Sequence, residues 1–135
     1  MEIKLCAQLY TVRDYCKDLN GFSETVRKIK SIGYERVQLS GIGPISAEDI
    51  RSVCDFYGVV PVCTHRPFSE FTEDLSSLIK YHQTLGCHFA GIGMLPQGAA
   101  SSMDAFSEFI KTTSEISEKL YDSGISGTSI LLSQI

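Results

Sequence analysis

The chain has 135 residues, 43% of them hydrophobic, and a formal net charge of −4 at pH 7. This length and composition predict one globular domain and exclude a disordered chain. The acidic balance argues against nucleic acid as a partner, because proteins that bind it usually carry a basic face. No apolar run approaches the roughly 20 residues that span a bilayer, so no membrane partner is expected.

The cysteines indicate a reducing compartment. There are five of them, an odd number, and no two form a CxxC pair. This pattern favours neither a disulfide framework nor a four-cysteine zinc site. The first ten residues, MEIKLCAQLY, lack the basic and apolar regions of a secretion signal. A cytoplasmic location is therefore expected.

One unit recurs along the chain: an amphipathic stretch, a glycine and a short run rich in β-formers. The glycines are Gly33, Gly58, Gly86 and Gly124. Glycine suits the left-handed position that follows a helix, so each instance predicts a helix end, a turn and a strand.

The predicted elements alternate in chain order. The strands are Ile3–Tyr10, Arg36–Leu39, Val59–Thr64 and Phe89–Ile92, with another beginning near Ile125. The helices begin after the candidate N-caps Asp18, Ser46, Thr72 and Ser101 or Ser102. Apolar residues recur at helical spacing after each cap, and the strands are apolar runs without clean alternation. Such strands are typical of parallel sheets covered on both faces.

This alternation predicts an α/β fold with a parallel sheet and right-handed crossovers. Two architectures remain open at this point. One is a small open doubly wound sheet, and the other is part of a (β/α)8 barrel, which needs about 250 residues when complete. Periodicity does not choose between them.

In either architecture, ligands bind at the carboxyl ends of the strands. His65 stands at such an end, directly after Val59–Thr64. Gln8 and Tyr10 lie at the end of the first predicted strand and share parity, and Gln38 lies at the end of the second. The alternatives are that His65 only bonds a neighbouring loop and that Gln8 is a satisfied core amide.

The other two histidines are weaker candidates for a binding site, and the familiar catalytic motifs are absent from the sequence. His82 falls on the apolar stripe of a predicted helix and is interpreted as a packed ring, and His88 begins a strand with no carboxylate nearby in sequence. No GxGxxG, P-loop lysine, HExxH, GxSxG or CxxC occurs.

Four stretches, in order, carry a family resemblance: AQLYTVRD, KIKSIGYERVQLSG, CDFYGVVPVCTH and YHQTLGCHFAGIG. Together they resemble the sugar phosphate isomerase/epimerase family of the xylose isomerase-like TIM-barrel superfamily. The resemblance implies about half a TIM barrel with four to five parallel strands, in a single partial domain over residues 1–135. It places Gln8, Tyr10 and His65 in the substrate pocket. Gln38 falls where many members carry a glutamate.

The resemblance also implies what is absent. Family members bind a divalent metal, Mn, Mg or Zn, through two glutamates, an aspartate and a histidine on the later strands. No residue here matches those ligands, and residues 124–135 depart from the family pattern where the fifth strand is due. The chain is therefore interpreted as a truncated front half without a metal of its own, and as inactive by itself.

Three functions remain open at this stage. The first is metal-dependent isomerisation or epimerisation of a sugar or polyol. The second is a non-catalytic half-barrel that oligomerises or binds a small polar ligand, and the third is DNA repair of the endonuclease IV type. A homodimer is expected, because half a barrel leaves open strand edges and an uncovered face.

Overall fold

The computed structural model describes residues 4–128, which form one sheet of five parallel strands with helices between them. The strands are β1 (Ala7–Gln8), β2 (Arg36–Ser40), β3 (Val60–Arg66), β4 (Phe89–Ile92) and β5 (Ser126–Thr128). They lie in the sheet in chain order. A doubly wound sheet reverses its strand order part-way, whereas a barrel adds each strand beside the last. The strand order therefore confirms the partial barrel.

The helices lie between the strands along the chain and pack on one another and on the sheet. They are α1 (Leu19–Ser31), α2 (Ala47–Tyr57), α3 (Phe68–Glu73), α4 (Leu75–Leu85) and α5 (Met103–Asp122). In chain order α1 contacts α2, α2 contacts α4, and α5 contacts β5. Right-handed crossovers in one direction place all helices on the same face of the sheet. No helix among residues 4–128 is long and apolar enough to cross a membrane.

Three predicted helix starts are confirmed by side-chain caps. The side chains of Asp18, Ser46 and Ser102 accept hydrogen bonds from the backbone N–H three residues later. Thr72 is not a cap. It lies inside α3, a short helix that the sequence did not predict, and Asp74 caps α4 instead.

The first strand is much shorter than predicted. Only Ala7–Gln8 pairs with β2, and a 3₁₀ helix over Leu9–Tyr15 follows at once. The Thr11 hydroxyl donates to the Gln8 carbonyl at 2.8 Å. This local bond favours the turn over a longer strand. The predicted start at Ile3 lies outside the described residues, as does most of the atypical tail.

The core lies between the sheet and the helices, in two clusters. One gathers buried side chains from the 3₁₀ helix, α1, α2, β2 and the end of α4: Leu9, Phe22, Val26, Val37, Ile50 and Leu85 among others. The other gathers side chains from α3, α4, β4 and α5, including Phe71, Leu78, Ala90, Phe109, Ile116 and Leu120. Because burial of this apolar surface drives folding, the helix side of the sheet is the stable side of the molecule.

The opposite face of the sheet, called the inner face below, carries no helix of the described chain. Alternation along β2 and β3 turns Gln38, Cys63 and His65 toward it, while Val37 and Thr64 point to the helices. Polar groups are tolerated on the inner face because it is only half-buried. A ligand can therefore reach the side chains of this face.

Candidate ligand-binding cleft

A cleft of about 520 Å³ opens at the carboxyl ends of the strands. Its walls come from the segments that leave β1, β2, β3 and β4, so four successive strand ends contribute. The lining residues are Gln8, Tyr10, Ser40, Gly41, Ile42, His65, Arg66, Pro67, Phe68, Glu70, Gly93, Met94 and Pro96. Its position is where parallel α/β proteins bind their ligands.

His65 forms a short hydrogen bond with Gln38. The two Nε2 atoms are 2.7 Å apart. Since the amide nitrogen of Gln38 can only donate, Nε2 of His65 accepts, and the imidazole proton lies on Nδ1. Burial lowers the pKa of His65 from its ordinary value of 6.5, so the ring is neutral at pH 7.

Gly93 holds the other side of the His65 ring. A Cβ added at this glycine would lie 3.1 Å from Cβ and 3.7 Å from Nδ1 of His65. The ring is thus fixed between an amide of β2 and the backbone after β4. A fixed neutral imidazole can offer one N–H donor to a ligand in the cleft.

Arg66 and Glu70 form an ion pair on the wall of the cleft. Nε of Arg66 donates to Oε2 of Glu70 at 2.7 Å, and Nη2 donates to Oε1 at 2.8 Å. The guanidinium carbon also lies 4.8 Å from the ring centre of Tyr81 on α4. Both charged side chains are about one-third exposed. The bidentate bond holds the β3–α3 turn in one geometry.

Gln8 and Tyr10 both line the cleft, although not for the predicted reason. Tyr10 belongs to the 3₁₀ helix, so the shared-parity argument was wrong for it. Gln8 is exposed, so the alternative of a satisfied core amide is wrong as well. Arg13 lies 4.3 Å from the ring centre of Tyr10 and donates to its carbonyl at 2.8 Å. These contacts fix Tyr10 at the mouth of the cleft.

The structure brings the four predicted residues to one place. Gln8, Tyr10 and His65 line the cleft, and Gln38 holds His65 from behind. Sequence reasoning missed Glu70. Its signal was the four-residue spacing to Arg66, at which an acidic and a basic side chain pair on a helical turn.

The other two histidines lie elsewhere. His82 is fully buried, with Nδ1 2.8 Å from the Leu78 carbonyl and Nε2 2.7 Å from the Thr64 hydroxyl. Nδ1 donates to the carbonyl, so Nε2 accepts from Thr64. His88 is exposed at the amino end of β4, with Nδ1 3.2 Å from the Gly124 carbonyl. Neither lines the cleft.

A divalent metal does not fit the donors that the described residues offer. Within residues 4–128, no three His, Cys, Asp or Glu side chains converge as a metal site requires. The cleft offers His65 and Glu70, and Glu70 already holds Arg66. Oxygen-ligand sites for Mg²⁺ or Mn²⁺ and mixed sites for Zn²⁺ need a larger converging set.

Solved structures share this architecture. A sugar phosphate isomerase/epimerase from Parabacteroides distasonis matches 92% of this chain and 49% of its own, with a TM-score of 0.77 and 16% identity. An AP endonuclease of family 2 from Brucella melitensis matches 93% of this chain and 54% of its own, with a TM-score of 0.69 and 18% identity. IolI, whose crystal structure holds a zinc atom, matches 93% and 50%, with a TM-score of 0.68 and 14% identity.

The chain has the fold of about half a TIM barrel, as these solved structures do over the part that it matches. It spans about half the length of these solved structures. No family model matches the sequence, and no curated protein matches it. The similarity therefore establishes the half-barrel fold. It does not establish an activity, which has to be inferred from the residues of the cleft.

Proposed function

We propose that the cleft binds a sugar or related polyol, and that the half-barrel is the ligand-binding part of an isomerase or epimerase architecture. The observation that carries this is the convergence of Gln8, Tyr10 and His65 at the carboxyl ends of the strands. Amide, phenol and imidazole groups pair with hydroxyl groups through neutral hydrogen bonds. The cleft volume falls within the range of roughly 300–1,000 Å³ of pockets that hold small molecules.

We further propose that this chain alone does not catalyse the reaction. Moving a proton between neighbouring carbons of a sugar needs a base, and metal-assisted versions also need a cation on the oxygens. The described residues lack a converging metal-ligand set. We expect elemental analysis after dialysis to find less than one equivalent of manganese, magnesium or zinc per chain. A stoichiometric metal would contradict this part of the proposal.

The lack of a converging metal-ligand set among the described residues also favours the second function, a half-barrel that binds a small polar ligand without converting it. Both functions use the same cleft, but only the first includes chemical conversion of the bound ligand. DNA repair is less well supported, although an AP endonuclease shares the fold. Its chemistry would need several zinc ligands and a basic surface, whereas the net charge here is −4. A cytoplasmic location is part of the proposal, supported by five cysteines that are all free thiols.

Titration with uncharged sugars and polyols tests the binding. We expect amide resonances of residues around the cleft to shift in NMR spectra on addition of aldoses, ketoses or cyclic polyols. His65→Gln should weaken binding about tenfold, the effect of one good hydrogen bond. His88→Gln is the matched control, because this histidine lies at the opposite end of the strands. If no member of the panel shifts the cleft resonances, the proposal fails.

A further inference from the structure

The cleft is lined by one positively and one negatively charged side chain. Among its lining residues, Arg66 and Glu70 are the formally charged side chains at neutral pH. His65 adds no charge, since burial lowers its pKa. An arginine in a sugar-binding cleft would ordinarily suit a phosphate group, because its planar fork matches phosphate oxygens. The state of Arg66 therefore decides which ligands the cleft accepts.

Arg66 is already engaged on two sides. Its Nε and Nη2 edge is filled by the Glu70 carboxylate, and one face of the guanidinium is covered by the Tyr81 ring. A carboxylate in this position competes for the same hydrogen bonds that a phosphate would use. It also cancels the positive charge that would attract an anion.

We propose that Glu70 determines ligand specificity: by holding Arg66, it makes the cleft select uncharged polyols and reject phosphorylated sugars. This rests on the proposed function, since it narrows the ligand of the same cleft. The Glu70 carboxylate competes with a ligand phosphate for Arg66. A phosphate at the Nε and Nη2 edge would have to displace Glu70 from a bidentate bond. A phosphate at Nη1 would meet a guanidinium whose charge the Glu70 carboxylate already offsets.

Two further cations, Arg13 and Lys17, lie at the edge of the cleft. Arg13 stacks on Tyr10 and donates to its carbonyl. Nζ of Lys17 donates to the Gly41 carbonyl at 3.3 Å. Neither lines the cleft, and exposed charges are strongly screened by salt. Any phosphate binding that they cause should weaken in Lys17→Gln or in Arg13→Gln and fade strongly at high ionic strength. Binding at Arg66 should persist in both variants and fade less, because Arg66 is less exposed.

Inorganic phosphate is the probe that tests the role of Glu70. We expect wild-type protein to show no saturable shift of cleft resonances with phosphate in NMR titrations. Glu70→Gln keeps the size of the side chain and removes the competing charge, so phosphate affinity should rise about tenfold or more. Glu73→Gln is the matched control, because it removes one negative charge from the same helix at an exposed position outside the cleft. Adding Arg66→Gln to Glu70→Gln should abolish the gain.

Three results would overturn the inference. They are phosphate binding by the wild type that depends on Arg66, no gain in folded Glu70→Gln, and an equal gain in Glu73→Gln. If Glu70→Gln does not fold, the wild type still decides through pairs of a neutral sugar and its phosphate ester. Preference for the neutral member supports the inference, and equal or tighter binding of the ester overturns it. Absence of any neutral ligand would instead defeat the proposed function.

Discussion

Thr64 and His65 are neighbours on β3, yet each takes part in a different histidine pair. Thr64 points to the helices and donates to His82, which is fully buried. His65 points to the inner face and accepts from Gln38, and both are half-buried. Both pairs have a distance of 2.7 Å between the bonded atoms. The same chemistry thus stabilises the fold on one face and remains available to a ligand on the other.

The difference between the faces is solvent access. On the helix side, each polar atom must find a partner inside the protein, because an unpaired buried group costs free energy. On the inner side, water or a ligand can bond to the remaining hydrogen-bond donors and acceptors. Among the described residues, no buried side-chain nitrogen or oxygen lacks a partner. Substitutions should therefore have their largest effect on stability at the helix side and on binding at the inner side.

The largest effect on stability is expected for His82→Leu. This change leaves the buried Thr64 hydroxyl without its side-chain partner and removes the ring hydrogen bond to the Leu78 carbonyl, which keeps its backbone bond within α4. We expect the free energy of unfolding to fall by about 2–3 kcal/mol, as for other buried groups that lose a partner. Urea denaturation measures it. Adding Thr64→Val should recover part of the loss. If His82→Leu destabilised the protein no more than His65→Leu, the helix side would not be the more sensitive face.

The inner face should also control self-association. Val60 is 54% exposed and Phe89 46% exposed on this face, and β1 and β5 are the edge strands of the described sheet. We expect a homodimer at micromolar concentration, because open edges and exposed apolar side chains favour pairing. Val60→Lys should weaken it about tenfold.

Light scattering measures this association, and Phe56→Lys is the control. Phe56 is 79% exposed on α2, on the helix side of the molecule. A wild-type protein with the mass of a single chain, 14.9 kDa, would contradict the prediction. Equal weakening by both variants would place the interface elsewhere.

Acidification should destabilise the protein through His82 first. Burial is the main cause that lowers the pKa of His82 from 6.5. The hydrogen bond to the Leu78 carbonyl opposes it, the Arg66 charge adds to it, and the Glu70 charge opposes it. Below about pH 6.5 the unfolded chain therefore binds more protons than the folded one. The stability from the neutral ring is complete above that pH and declines as the pH falls toward the folded pKa.

Chemical denaturation at pH 7 and pH 5 checks this sign. The loss between the two values should be smaller in His82→Leu than in the wild type. His65, whose pKa is also lowered by burial, should contribute to the remaining loss. Stability that rises on acidification in the wild type would contradict the assignment of a neutral buried His82.

The smallest effect on stability is expected for His65→Ala. Its ring is half-buried on the inner face and bonds one side chain. We expect a change within about 0.5 kcal/mol, as for positions outside the packed core. Binding of an uncharged polyol should nevertheless weaken by about tenfold or more. A destabilisation as large as that of His82→Leu would show that the Gln38 pair has a structural role.

Much of the fold was predictable because it depends on local signals. The caps Asp18, Ser46 and Ser102 are set by side chains that bond to the backbone three residues on. The turn glycines Gly58 and Gly86 adopt φ values of 64° and 65°, which other residues rarely adopt. The strand Phe89–Ile92 was predicted with its observed bounds. Each of these signals involves residues close in sequence.

The short β1 and the helix α3 were not predictable in this way. The run that contains Leu9 has the composition of a strand, but Leu9 is fully buried within the 3₁₀ helix instead. The helix α3 has no side-chain N-cap, and its Phe71 is buried in the core formed by α4 and α5. Tertiary packing overrode the local pattern in both places.

The sequence by itself determined the order of strands and helices, the turns and which strand ends carry polar side chains. It also pointed to His65, because a polar residue after an apolar strand is visible in one dimension. Only the tertiary structure decided that the sheet adds its strands in order, that Gln38 and His65 meet, and that Glu70 occupies Arg66. Hydrophobic periodicity specifies which face of each element is buried. Partners that lie on different elements depend on register and crossover direction, which no single segment encodes.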